Sequence, residues 1–69
     1  MYEIFLHGDS KKFYVSYVSI DGAIWYRTAG AIIGHPPKRF QNLEEANKIA
    51  ERAQKANKDL VVEVVNYGE

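Results

Sequence analysis

The chain contains no cysteine, which excludes a disulfide framework and any thiolate chemistry. Its two histidines, His7 and His35, lie far apart in the chain. With no cysteine to join them, a structural zinc site is not expected. No stretch approaches the roughly 20 apolar residues that span a bilayer. The first residues lack the basic segment and long apolar core of a secretory leader. A surplus of one charge is missing too: nine basic and nine acidic residues give a formal net charge of zero, where a dedicated DNA-binding domain carries a basic excess. The charges are only slightly segregated, at net +2 over residues 1–40 (five basic, three acidic) and net −2 over residues 41–69 (four basic, six acidic). These absences together predict a cytoplasmic protein with no cofactor, no metal and no membrane partner.

What is present is a chain of 69 residues with an apolar share of 46%, ordinary for a globular protein. That length predicts one domain, 1–69, near the small end of what folds alone. At this size the gain from burial roughly balances the entropy of ordering. Oligomerisation or unusually efficient packing is therefore expected.

The sharpest local signal is the segment from Lys12 to Thr28, read as two strands joined at Asp21-Gly22. An Asp-Gly pair suits a two-residue type I′ turn, which needs positive φ at both central positions. The flanking residues are β-branched and aromatic, as strands prefer. A two-residue turn sets the register: Ile20 opposite Ala23, Val18 opposite Trp25, Ser16 opposite Arg27 and Tyr14 opposite Ala29. On the other face Ser19 meets Ile24, Tyr17 meets Tyr26 and Val15 meets Thr28. One face then carries Tyr14, Val18, Ile20 and Trp25, and the other Phe13, Val15, Tyr17, Ile24 and Tyr26. Neither is plainly polar, although a surface sheet in a small monomer needs only one apolar side.

Tyr2 to His7 reads as an earlier strand, and Gly8-Asp9-Ser10-Lys11 as a turn, so three strands form a meander. Ala29 to Arg39, with two glycines and Pro36-Pro37, reads as a long loop. Asn42 to Asn57 is the helix. Asn42 is placed to cap it with Glu45 at the third helical position, and acidic Glu44 and Glu45 precede basic Lys55 and Lys58 in the sense the helix dipole favours. Leu43, Ala46, Ile49, Ala50, Ala53 and Ala56 fall on one stripe. The stripe is mostly alanine and predicts close approach to a sheet that supplies the bulk. Phe40 is placed to anchor the start of the helix on the core. Leu60 to Tyr67 is a last strand, with Leu60, Val62 and Val64 on one face and Val61, Glu63, Val65 and Tyr67 on the other.

The fold expected is a small α+β domain of order β-β-β-α-β: an antiparallel meander sheet with one helix packed on one face. The position of the last strand in the sheet stays open. The helix is expected on the Phe13, Val15, Tyr17, Ile24, Tyr26 face. That leaves Tyr14, Val18, Trp25 and Arg27, with Val65 and Tyr67, as an uncovered interaction surface. A homodimer formed sheet to sheet would cover it, and the Ala29–Arg39 loop folding across it is the alternative.

Catalytic constellations are sparse. Gly30-Ala31-Ile32-Ile33-Gly34 is not followed by the Lys-Ser or Lys-Thr of a phosphate-binding loop. Ser10, Ser16 and Ser19 sit in a turn or along a strand, outside any nucleophile elbow. His7 and Asp9, two apart, read as a hairpin corner, and His35 before Pro36 as a loop residue. An enzyme is therefore not expected. The alternative is nucleic acid: Tyr14, Trp25 and Tyr67 are able to stack on bases, and Lys11, Lys12, Arg27, Lys38 and Arg39 to meet phosphates. The hairpin with Trp25, then Lys38-Arg39-Phe40, then Glu44-Glu45-Ala46 opening the helix, is similar to the three-strand-plus-helix DNA-binding domains of the AP2 and integrase-arm type. That resemblance spans about forty residues, Phe13 to Ala53, and implies a sheet face set into the major groove. The neutral charge, the Gly/Pro loop and the fourth strand depart from it. The function expected is a small non-enzymatic interaction or regulatory module, homodimeric, fitting a bacterial or phage accessory protein, with weak nucleic-acid binding as the alternative.

Overall fold

The structure, a computed structural model, describes residues 1–29 and 36–67. Among these, β1 (Tyr2–His7), β2 (Lys12–Val18), β3 (Ile24–Thr28), α1 (Leu43–Ala56) and β4 (Val61–Asn66) follow in chain order. The four strands form one antiparallel sheet in the order β3-β2-β1-β4. Short connections make the first three strands a meander, as expected. Helix α1 then carries the chain across one face, and β4 adds beside β1. This settles the position of the last strand: it is an edge.

The helix forms where capping and periodicity place it. The Asn42 side-chain oxygen accepts from the backbone N–H of Glu44 at 2.7 Å and of Glu45 at 3.3 Å, satisfying two donors that the first turn leaves without partners. At the other end the Asn57 side chain donates to the Ala53 carbonyl at 2.9 Å and to the Tyr26 hydroxyl at 3.3 Å, so the cap also ties the helix to β3. Gln54 holds the α1–β4 connection. Its amide donates to the Leu60 carbonyl at 2.6 Å and accepts from the Val62 N–H at 3.2 Å.

Ala46, Ile49 and Ala53 of α1 are buried against Ile4, Leu6, Val15 and Phe40. The alanine stripe does bring the helix close, and the sheet supplies the bulk. Phe40 anchors the approach to the helix from within the core. Two residues of the expected stripe do not join it: Leu43 and Ala56, at its two ends, are exposed.

Residues 38–40 have a role not foreseen. The Tyr2 and Phe40 backbones exchange two hydrogen bonds of 2.8 Å, and the Lys38 N–H donates to the Val15 carbonyl at 2.9 Å. β1 and β2 pair only over Phe5–His7 and Lys12–Tyr14. The segment thus stands between the two strands where they part. Pro36-Pro37 delivers the chain there in the extended form that proline favours.

The β2–β3 hairpin differs from expectation in two places. The Gly22 N–H bonds the Ser19 carbonyl at 3.0 Å, and the Ser19 N–H bonds the Ala23 carbonyl at 2.9 Å. This is a three-residue loop, Ile20-Asp21-Gly22, with a type I turn and then a left-handed residue. Only Gly22 has positive φ, +94°, whereas a type I′ turn would require it at Asp21 as well. The second difference lies between Val15 and Tyr17, where the register shifts at a β-bulge. Each device adds one residue to β2's side of the count. Together they restore the alternation beyond Ser16. Between them Tyr17 and Val18 exchange faces. Val18 packs against the core beside Ile24, and Tyr17 stands opposite Trp25. Phe13, Val15, Ile24 and Tyr26 lie on the helix side as expected.

Candidate functional site

The face away from α1 follows from the alternation of each strand. β3 contributes Trp25 and Arg27, β2 contributes Lys12, Tyr14 and Tyr17, β1 contributes Glu3, Phe5 and His7, and β4 contributes Val61, Glu63 and Val65. The register makes Arg27, Tyr14, Phe5 and Glu63 one straight row across all four strands. Within it the Phe5 and Tyr14 rings meet edge to face, with centroids 6.3 Å apart, and the Lys12 ammonium lies 4.9 Å from the Phe5 ring centre, a cation–π distance.

This face is not uniformly open. Tyr14, at its centre, is buried, and so is Glu3. The Glu3 carboxylate accepts from Arg39 Nε at 3.2 Å, which supplies the partner that a buried carboxylate requires. On the β1–β4 side His7 Nε2 is 2.8 Å from Glu63 Oε1. The exposed part is the hairpin end. Tyr17 is 55% exposed and Trp25 is 58% exposed, directly opposite each other across β2 and β3. With Ser16, Tyr26 and Arg27 they line a shallow, open concavity of about 440 Å³. The bulge places Tyr17 here, and the Ser16 hydroxyl within it donates to the Trp25 carbonyl at 3.2 Å.

The expected surface residues therefore divide. Trp25 and Arg27 are exposed on the open face, Tyr67 is exposed beyond β4, and Val65 is half-buried on that strand. Tyr14 is on the same face but buried. Val18 is a correction: it belongs to the core face, because the bulge at Ser16 and the three-residue loop reverse the alternation at that point. Tyr17 takes its place on the open side. Ser19 at the first turn position and Gly22 at the fourth are a sequence signal for the type I turn, whereas the bulge carries none that we can identify.

Of the five cations considered for phosphate contact, Lys12, Arg27 and Arg39 face the open side. Lys11 is exposed in the turn before β2. Lys38 instead lies 5.3 Å from the Phe40 ring centre. At the hairpin tip the Ser19 hydroxyl donates to the Asp21 carboxylate and accepts from the Ala23 N–H at 3.0 Å. The Ser19 hydrogen bond, and then the backbone N–H of Ala23, hold the Asp21 carboxyl below the usual aspartate range.

Among the described residues no three His, Asp or Glu side chains are grouped so as to hold a metal ion. His7 is engaged by Glu63, and Ser19 and Asp21 by the turn. His35, and the residues 30–35 on which the expectation of a loop folding across the uncovered face rests, lie outside the described residues. No helix among the described residues is long and apolar enough to cross a membrane.

Neither a family model, nor a curated protein, nor a solved structure matches the chain. The fourth strand beside β1 departs from the three-strand-plus-helix arrangement that the resemblance implied.

Proposed function

We propose that this chain is a non-enzymatic interaction module that meets its partner with the open face of its sheet, at the hairpin end. One observation carries the reading: Tyr17 and Trp25, two large rings each more than half exposed, stand side by side on a sheet whose other face already has its helix. Leaving such a ring in water forgoes about 1.5–3 kcal/mol relative to burying it. An adjacent pair on a surface this small supports a binding role.

A homodimer is the first arrangement to test. The row Arg27, Tyr14, Phe5, Glu63 has a cation at one end, a carboxylate at the other and two aromatic rings between. Turned about a two-fold axis parallel to the strands, it is complementary to itself. A homodimer through this face predicts the mass of two chains in sedimentation equilibrium, and the mass of one for Trp25→Ala. A single-chain mass for the unaltered protein at all concentrations removes the homodimer. The second reading is nucleic acid, favoured by the gathering of Arg27, Lys12 and Arg39 on the same face as the exposed rings. The cysteine-free composition and small size support a cytoplasmic accessory protein, bacterial or phage in kind.

A further inference from the structure

We infer that the open face takes single-stranded nucleic acid, with unpaired bases stacked on Tyr17 and Trp25 and the adjoining phosphates met by Arg27 and Arg39. The inference rests on the reading of this face as the working surface, and it names the partner.

The geometry favours a strand of bases over a compact ligand. Cross-strand neighbours hold their Cβ atoms about 5 Å apart, so the two exposed rings, which line one shallow concavity, are within reach of successive bases of one strand. The concavity beside them is open and shallow and does not enclose a small molecule. Flat bases need no enclosure, since every base has a π-face to stack, and such stacking tolerates any sequence. A duplex keeps its bases stacked on one another and unavailable to a ring platform, whereas a single strand can splay them out.

Charge points the same way. Among the described residues of this face, the cations nearest the rings are Arg27 and Arg39, and Arg39 is paired with the buried carboxylate of Glu3. Among the described residues Arg27 has no ion-pair partner. Glu63 lies three strands away from it and is engaged by His7. Within the chain's overall neutrality, Arg27 is therefore a local basic surplus beside the exposed rings. Phosphates meet that surplus, and an acidic strand with aromatic bases is the partner that satisfies rings and cations together.

Trp25 is the sole tryptophan, so its fluorescence reports directly on stacking. The test titrates the full chain with labelled oligo-dT and oligo-U of about twelve nucleotides, with a duplex of equal length, and with inorganic polyphosphate. Quenching of Trp25 by the single strands, in preference to duplex and polyphosphate, is expected. The plot of log K against log salt is expected to slope at about −1.4, from two phosphate contacts at about −0.7 each. Trp25→Ala, followed by anisotropy of the labelled strand, is expected to weaken binding about 5- to 150-fold, with Trp25→Phe retaining most of it. Arg27→Gln is expected to make the salt slope shallower by about 0.7. Circular dichroism confirms that each variant is folded. Equal binding of duplex or polyphosphate, or full binding by folded Trp25→Ala, overturns the inference. If no oligonucleotide binds and the chain sediments as two copies with Trp25 shielded, the inference falls while the open face stands as the working surface. A single chain that binds no oligonucleotide, with Trp25 still accessible to a quencher, removes both.

Discussion

The two faces of the sheet are built from similar residues and have opposite fates. On one, Ile4, Leu6 and Val15 have lost essentially all contact with solvent beneath α1. On the other, Tyr17 and Trp25 keep more than half of theirs. Hydrophobicity alone does not separate them, because Trp25 is as apolar as anything in the core. The separation comes from the side chains around them. The alanine-lined helix sits over the aliphatic side chains of β1 and β2 with Phe40 among them and Phe13 and Tyr26 packed at the margin, while the open face carries charged side chains among its rings. A small protein with two apolar faces and one helix must leave one face for something else.

The largest break in that comparison is expected from Phe40→Ala. It opens a cavity under the helix and costs about 3–5 kcal/mol, enough to unfold much of a domain this small. Urea denaturation measures it, and Trp25→Ala serves as the opposite case, with a stability change within about 1 kcal/mol. Equal losses for the two would erase the distinction between the faces.

Next is Gly22→Ala, at the tip that links the faces. A side chain at φ +94° is strained, and its Cβ would come within 3.2 Å of the Arg52 guanidinium, which itself donates to the Gly22 carbonyl at 2.7 Å. A loss of about 1–2 kcal/mol is expected. Combining it with Arg52→Ala sharpens the comparison: if the clamp from helix to hairpin matters, the two losses will not add.

Asn42→Ala removes the acceptor for two N–H groups at the start of α1 and is expected to cost about 1 kcal/mol. The effect should fall on the helix-covered side only, leaving the accessibility of Trp25 to a quencher unchanged. A change in that accessibility would mean that the two faces are coupled through the helix.

Acid has the smallest expected effect. The Asp21 carboxyl titrates below its usual range in the folded chain, so its ionised form is favoured by folding. That contribution is fully present above the ordinary aspartate value near pH 4 and is lost as pH falls through the lower folded value. Carboxyl chemical shifts followed through an acid titration read it directly. Ser19→Ala, which removes the principal cause, is expected to return Asp21 toward the usual range.

Much of this was legible in the sequence, for local reasons. The capping oxygen of Asn42, the spacing of Ala46, Ile49 and Ala53, and the valine-rich last strand act within a few residues of themselves. Their elements appear where periodicity and capping place them. The side of β3 that faces the helix was legible too, because two added residues, one in the turn and one in the bulge, cancel. The residue the sequence placed wrongly was Val18, and with it Tyr17, in the short interval where only one of the two had acted. A bulge at Ser16 has no composition of its own. It falls where β2 parts from β1 and residues 38–40, which come from elsewhere in the chain, enter between them.

By itself, then, the sequence determined which segments are strands and helix, that neither sheet face is plainly polar, and that one helix covers one of them. These follow from hydrogen bonding and periodicity over short spans of chain. Only the tertiary structure decided that β4 lies beside β1, that Glu3 and Arg39 pair on the open side, and that Tyr17 joins Trp25 there. Those outcomes depend on strands meeting across long separations. A shift of one residue in such a meeting turns a side chain from core to surface, and no local preference along the chain records it.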